Sequence, residues 1–316
     1  MIRNLLLVFA VLAGMPLVAA EKAAPIRGDW TPQQVAEGVY VIHGPIGVPL
    51  PENQGFMNNP AFVLTSVGVV VVDPGGSVQT GEMLLQEIGK VTDQAVVAVF
   101  NTHVHGDHWL GNQAIHERYP DAVIYAHPKM IARVAQGAGT EWINMAMRMT
   151  EGAIAGTRVV NAQNKVVDAD EIRVGDQLFR IYNNGFAHTD NDIMIYAVDR
   201  GVMFLGDNAT TNRIVRQEHG SVQGNIEALQ KAIDSGASMF VPGHGPSGEQ
   251  AAALYKNYLS VVYETVKQYY NEGLSDYEIK PHVEPLLSDY KDWSDFDRIL
   301  GQHISAAYLE VEAADF

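Results

Sequence analysis

The sequence predicts an α/β protein in which two sheets pack face to face with helices outside, followed by a helical tail. Three observations carry this. Apolar strand-like runs alternate with helical spacing over residues 39–128, the same strand-rich, helix-flanked order returns over 171–245, and from Glu249 onward the pattern is helical. With 316 residues, 47% of them hydrophobic, the chain is long enough to bury a sizeable core.

The opening "MIRNLLLVFAVLAGMPLVAA" carries one basic residue, Arg3, then an apolar stretch over 5–13 that is too short to span a bilayer. Pro16 breaks it, and Val18, Ala19 and Ala20 are small residues suited to cleavage. Residues 1–20 read as a secretory signal, so the mature chain is expected in the periplasm or secreted. No later stretch is apolar enough to form an integral membrane segment.

"VYVIHG" (39–44) reads as the first strand. "AFVLTSVGVVVVDPGG" (61–76) reads as two strands joined at Ser66-Val67-Gly68. "TGEMLLQEIGKV" (80–91) has helical spacing, and "AVVAVF" (95–100) is a continuous apolar run, as for a strand buried on both faces. A helix end at 114–120 and a strand at 122–128 follow. The Met- and Gly-rich stretch 128–164 has weak periodicity and reads as helix plus a mobile segment, either over a site or as a surface insertion. Strand signals return at 171–184, 192–208 and 238–245, with a helix at 221–236. In the tail, Ser275 and Asp295 are candidate N-caps and Gly273 a C-terminal stop. The tyrosines at 255, 258, 263, 269 and 270 read as packing residues. The expected division is a catalytic domain over 21–250 and a helical extension over 251–316.

The chain has no cysteine, so any metal is held by His, Asp or Glu. Its net charge of −16 argues against a nucleic-acid partner and leaves a small molecule as the expected one.

The chemistry concentrates after the 95–100 strand. "NTHVHGDHWLGN" places His103, His105, Asp107 and His108 in six residues of a chain with 11 histidines. In an extended segment, residues two apart point the same way, so His103 and His105 can share one metal. Asp107 and His108, past Gly106, can turn to a second. More ligands are then needed at other strand ends. His188 follows "LFRIYNN", Asp207 follows "VMFLG", and His244 stands in "VPGHG". Alone, His188 reads equally as a cap, Asp207 as a turn residue and His244 as structural. Together with the first motif they make five histidines and two aspartates, a set suited to two divalent ions.

"THVHGDH", a lone His, "GD" and "GHG", in that order, resemble the metallo-β-lactamase-fold metallohydrolase superfamily over roughly residues 35 to 250. The resemblance implies a four-layer αββα sandwich. It implies that His103, His105 and His188 bind one metal, that Asp107, His108 and His244 bind the other, and that Asp207 bridges them. Asp73 matches a structural aspartate supporting the metal loop. Two zinc ions are expected, with iron or manganese as other fits. The bridging Asp resembles glyoxalase II and lactonases rather than lactamases with a cysteine ligand. The tail resembles exported zinc metallohydrolases associated with quinoprotein and sulfur-oxidation systems. The implied activity is attack by a metal-bridging hydroxide on an ester, thioester or lactam carbonyl, with Asp107 orienting it and passing on a proton. The alternative is an oxidoreductase resembling the mononuclear iron persulfide dioxygenases. Further candidate substrate contacts are Asn58 and Asn59 in the 47–62 loop, Trp109, Asn208, Asn212, and Arg213 or Arg216 for an anionic substrate. Each also has an ordinary structural use. His43, His116, His127, His219, His282 and His303 read as ordinary histidines.

Overall fold

The computed structural model describes residues 21–217 and 219–315. The signal over 1–20 lies outside them. In chain order the elements are β1 (Gln33–Ala36), β2 (Val39–Val41), β3 (Ala61–Thr65), β4 (Gly68–Val72), α1 (Val78–Val91), β5 (Val96–Phe100), α2 (Gly106–Trp109), α3 (Asn112–Arg118), β6 (Val123–Ala126), α4 (Pro128–Ala135), α5 (Ala138–Met149) and β7 (Asn164–Lys165). Then follow β8 (Glu171–Val174), β9 (Gln177–Tyr182), β10 (Met194–Ala197), β11 (Val202–Thr210), α6 (Val222–Ile233), β12 (Met239–His244), α7 (Ala251–Asn271), α8 (Asp276–Val283) and α9 (Phe296–Ala314).

The first sheet has order β1-β2-β3-β4-β5-β6-β7 and the second β12-β11-β10-β9-β8. Strand periodicity explains how they pack. Successive side chains point to opposite faces, so a strand buried on both sides divides its residues between two cores. In β4, Val70 and Val72 join the layer between the sheets, while Val69 and Val71 pack with Leu84 and Ile88 of α1. In β10 and β11, Ile195 and Phe204 face that same middle layer, where they meet Phe100 and Phe179. Met194, Met203 and Leu205 face the opposite way, onto α6 and the tail helices. Helices therefore cover both outer faces, giving the four-layer αββα sandwich.

The tail covers the second sheet with Tyr255, Tyr258, Leu259, Val262, Ile279, Leu287, Ile299 and Ile304, all buried. Each such side chain stabilises the fold by about 1.5–3 kcal/mol. Ser275 forms a capping box with Glu278, and Gly273 ends the preceding helix at φ +87°. Asp295 caps α9 through its backbone alone. It occupies the N-cap position of α9 as expected, but at φ +68° and with no side-chain cap bond, its Oδ1 accepting from Arg298 instead. The 128–164 stretch contains two ordered helices, α4 and α5, rather than one. The strand β1 was not foreseen, because "QQVA" has no apolar alternation and is held only by pairing with β2. No helix among the described residues is long and apolar enough to cross a membrane.

Candidate metal centre

The seven side chains singled out in the sequence meet at one edge of the sandwich, in two groups. One contains His103, His105, His188 and Asp207; the other contains Asp107, His108 and His244. Within each group the donor atoms lie within 4.8 Å of one another.

Local backbone explains the convergence. His103 follows β5 in extended chain, and His105 is the last extended residue before α2. The turn of α2 then swings Asp107 and His108 toward the second group. Gly106 is required there, since a Cβ would lie 2.6 Å from Cβ of Trp142 on α5. Asp207 does not follow its strand as the sequence suggested; it lies inside β11, which continues to Thr210. It reaches the site through a break in register at Gly206, whose φ of +54° favours glycine. His244 is the last residue of β12, and the preceding Gly243 makes room for the acid. A Cβ on Gly243 would stand 2.0 Å from Asp207 Oδ1.

The distances are those of groups sharing a small volume. His105 Nδ1 and His188 Nε2 are 3.1 Å apart. Asp207 presents Oδ1 at 3.2 Å from His108 Nε2 and at 3.4 Å from His244 Nε2, and Oδ2 at 3.7 Å from His188 Nε2. Its carboxylate thus stands between the two groups. Asp107 Oδ2 is 3.3 Å from His244 Nε2 and 3.5 Å from His108 Nε2.

The outward edges of the imidazoles are occupied. Thr102 Oγ1 donates to Asp73 Oδ2 at 2.6 Å, so it accepts from His103 Nδ1 at 3.0 Å. His108 Nδ1 donates to Asp73 Oδ2 at 2.8 Å, and His244 Nδ1 to the carbonyl of Met57 at 2.8 Å. These bonds place each Nε2 lone pair inward. His103 Nε2, His108 Nε2 and Asp207 Oδ1 are buried without a hydrogen-bond partner among the described residues. Such groups are costly unless something binds them, and lone pairs aimed into one volume suit a cation. Neighbouring charges agree. Burial, with the charges of His108 and His105, holds His103 well below the usual histidine range. Burial carries His105 down to about 4 and His188 to about 3, so both imidazoles are neutral at pH 7. Burial also works against charge on His108 and His244, but Asp207 leads the carboxylates that outweigh it and raise both. Asp107 and Asp207 are buried, which opposes ionisation, yet His108 and His244 hold both below the usual carboxylate range. This field between the carboxylates favours positive charge.

Asp73 has φ +50° and accepts from Thr102 N, Thr102 Oγ1 and His108 Nδ1, tying the metal loop to β4. Asn58 and Asn59 turn away from the cavity. Asn58 Nδ2 donates to the Asp73 carbonyl, and Asn59 Nδ2 to those of Pro242 and Gly245. Trp109 is fully buried and donates to the Val104 carbonyl. Asn208 Oδ1 accepts from His188 N, and Asn191 Oδ1 accepts from Val104 N, linking two ligand loops. A cavity of about 610 Å³ opens over the centre. Trp142, Met145 and Met149 of α5 form one wall, with the Trp142 ring 5.0 Å from that of His105. The Met-rich composition was the sole sequence signal for that wall, and it does not distinguish a wall from a surface helix.

The family model of the metallo-beta-lactamase superfamily matches residues 54–244, and the chain belongs to that superfamily. A search of curated proteins found no match. Among solved structures, the inverting sec-alkylsulfatase Pisa1 from Pseudomonas sp. aligns with TM-score 0.66 at 14% identity, over 89% of this chain and 50% of that one. The chain therefore spans about half the length of that enzyme. A metallo-beta-lactamase from Pontibacter korlensis aligns with TM-score 0.56 at 18% identity, over 72% and 98% of the two chains. The DIM-1 metallo-beta-lactamase aligns with TM-score 0.55 at 16% identity, over 76% and 99%. At these identities the likeness is one of fold.

Proposed function

We propose that the chain is an exported hydrolase working with two zinc ions. His103, His105 and His188 would hold one, Asp107, His108 and His244 the other, with Asp207 between them. The observation that carries this is the orphaned set of inward donors: two groups, each with a buried imidazole nitrogen that has no hydrogen-bond partner among the described residues. Imidazole and carboxylate donors without thiolate suit zinc, and iron and manganese accept the same donors. Export rests on residues 1–20 alone.

Divalent cations held here would supply Lewis acidity toward a water and toward a substrate carbonyl oxygen. The chain's own residues do the rest. Asp107 is ionised at neutral pH and lines the cavity, where it would accept the proton of the attacking water and return it to the leaving group. Asp73 and the Met57 carbonyl fix the ring orientations of His108 and His244. The wall of Trp142, Met145 and Met149 excludes water from one side of the bond to be cleaved. An ester, thioester or lactam carbonyl is the substrate group this reading favours; the alkylsulfatase relative adds sulfate esters. A mononuclear iron oxidoreductase of the persulfide dioxygenase kind leaves the second ligand group without a role.

The test is a panel of lactam, lactone, thioester, phosphoester and sulfate-ester substrates with the purified mature protein. Hydrolysis of a carbonyl substrate, abolished by chelation and restored by zinc, is expected. Turnover that survives complete chelation, or oxygen uptake with a persulfide in place of hydrolysis, overturns the reading.

A further inference from the structure

Arg213 is a nearly buried guanidinium beside the metal centre that the hydrolytic chemistry does not use. Its Nε has no hydrogen-bond partner among the described residues. Its Nη1 is 3.4 Å from His244 Nδ1, but that nitrogen already donates to the Met57 carbonyl and has no lone pair to offer. The nearest carboxylate, Asp295 Oδ2, stands 3.5 Å from Nε and also lacks a hydrogen-bond partner. A guanidinium carries five donors and stays charged, so with Asp295 near enough for an ion pair but no hydrogen bond to Nε, this one keeps unused donor capacity. Arg213 lines the cavity over the centre.

The backbone holds Arg213 in that position. Asn212 takes φ +57°, and Thr210 Oγ1 donates to the Arg213 carbonyl at 2.7 Å. The turn is clamped to the segment leading into α9: Ser294 N donates to the Asn212 carbonyl and Ile214 N to that of Ser294, both at 2.9 Å. The same segment supplies Asp295, in the left-handed region, which Arg298 binds through Nε at 3.0 Å and Nη2 at 2.9 Å. Arg298 also lines the cavity. The helical extension therefore places one carboxylate between two arginines, leaving net positive charge at one end of the pocket. That charge stands out on a chain of net charge −16. The same cavity is also lined by apolar side chains, Val48, Pro49, Trp142, Met145 and Met149 among them.

We propose that Arg213, backed by Asp295 and flanked by Arg298, receives an anionic oxygen group of the substrate, while the apolar wall takes its hydrocarbon body. The substrate class is then an amphiphilic organic anion, a carboxylate or sulfate on an apolar frame. A fixed fork of N–H donors suits two oxygens of such a group, and a water-poor pocket strengthens the bond. The proposal rests on the hydrolase reading only in placing this anion beside the bond to be cleaved.

Binding of octane-1-sulfonate, with 1-octanol as the neutral control, tests it by calorimetry on the full mature chain, both metal-loaded and chelated. Wild type is expected to prefer the sulfonate by about tenfold or more, the scale of a charged hydrogen-bonded pair. Arg213→Gln is expected to remove that preference and leave octanol binding unchanged. Arg213→Lys keeps the charge without the fork and should fall between them, and Arg298→Gln should lower the preference less than Arg213→Gln. Circular dichroism checks that each variant folds; if Arg213→Gln does not, the lysine and Arg298 variants and the wild-type preference decide. Equal affinity of wild type for both probes overturns the proposal, as does an unchanged sulfonate preference in the folded variants. Sulfonate selectivity without hydrolysis of any panel substrate would overturn the hydrolase reading alone; hydrolysis without selectivity would overturn this proposal alone.

Discussion

His103 and His303 are equally buried, each only 1% exposed, yet they sit in opposite chemical situations. His303, on α9, uses both ring nitrogens: Nε2 donates to the Val215 carbonyl at 2.9 Å, and Nδ1 accepts from Tyr258 OH at 3.0 Å. His103 satisfies only Nδ1, and its Nε2, grouped with donors of His105, His188 and Asp207, has no hydrogen-bond partner among the described residues. Burial alone does not mark a functional histidine. An unspent lone pair aimed at other unspent lone pairs does. The helical extension is an ordinary core that happens to include a histidine, whereas the edge of the sandwich is an arrangement of donors that the fold leaves incomplete.

The contrast can be broken most severely by removing a ligand from each group. His103→Ala and His108→Ala should each lose a metal equivalent and lower kcat/KM by about a thousandfold or more, as loss of groups acting as a unit does. His303→Leu should leave metal content unchanged. If His103→Ala keeps its full metal complement, the two histidines are alike and the distinction fails.

Removing bound metal should lower the melting temperature of wild type and of His303→Leu by similar amounts. Ions present at about a hundredfold excess over Kd stabilise the fold by about 2.7 kcal/mol. A chelated protein that melts where the loaded one does would mean that the centre contributes no binding energy.

Asp73→Ala touches no inward donor, but it frees the Nδ1 edge of His108 and unties Thr102. A decrease of about 10- to 100-fold in metal affinity is expected, the usual scale for a group that orients a ligand. Competition with a coloured chelator reads it directly, and an affinity equal to wild type would remove Asp73 from the support of the site.

The smallest effect belongs to His303. Burial outweighs its bond to the Val215 carbonyl and pushes it down to about 4, against an ordinary value of 6.5. The unfolded chain therefore binds a proton there that the folded chain refuses, so stability is lost as pH falls from about 6.5 toward 4. Denaturant melts across this window should show a slope shallower by up to one proton in His303→Leu, which should also be about 1–3 kcal/mol less stable at pH 7 for its lost bonds and shape. An unchanged slope would mean that His303 is protonated in the fold.

How much of this was legible in the sequence differs between the same two regions. The seven candidate ligands were visible because most stand just past a strand or beside a glycine, His188 lying in the loop between β9 and β10, and because His, Asp and Gly are conspicuous there. The sandwich was visible because β4, β5 and β11 carry apolar residues on both faces. The wall of Trp142, Met145 and Met149 was half visible: the 128–164 stretch read either as lying over a site or as a surface insertion, and nothing in the periodicity of α5 says which. Asn58 and Asn59 looked like substrate donors because a loop asparagine is usually solvent-facing; here three carbonyls from two other segments claim them. Asp295 looked like a cap because position suggests one, and only the fold brings Arg213 and Arg298 to its carboxylate.

The most direct measurement is the metal content of the purified mature chain by plasma mass spectrometry, with His105→Ala and His303→Leu alongside. About two equivalents of divalent metal per wild-type chain, zinc foremost, are expected, with a loss in His105→Ala and none in His303→Leu. A single iron per chain, or a content that His105→Ala leaves unchanged, would contradict the two-metal centre.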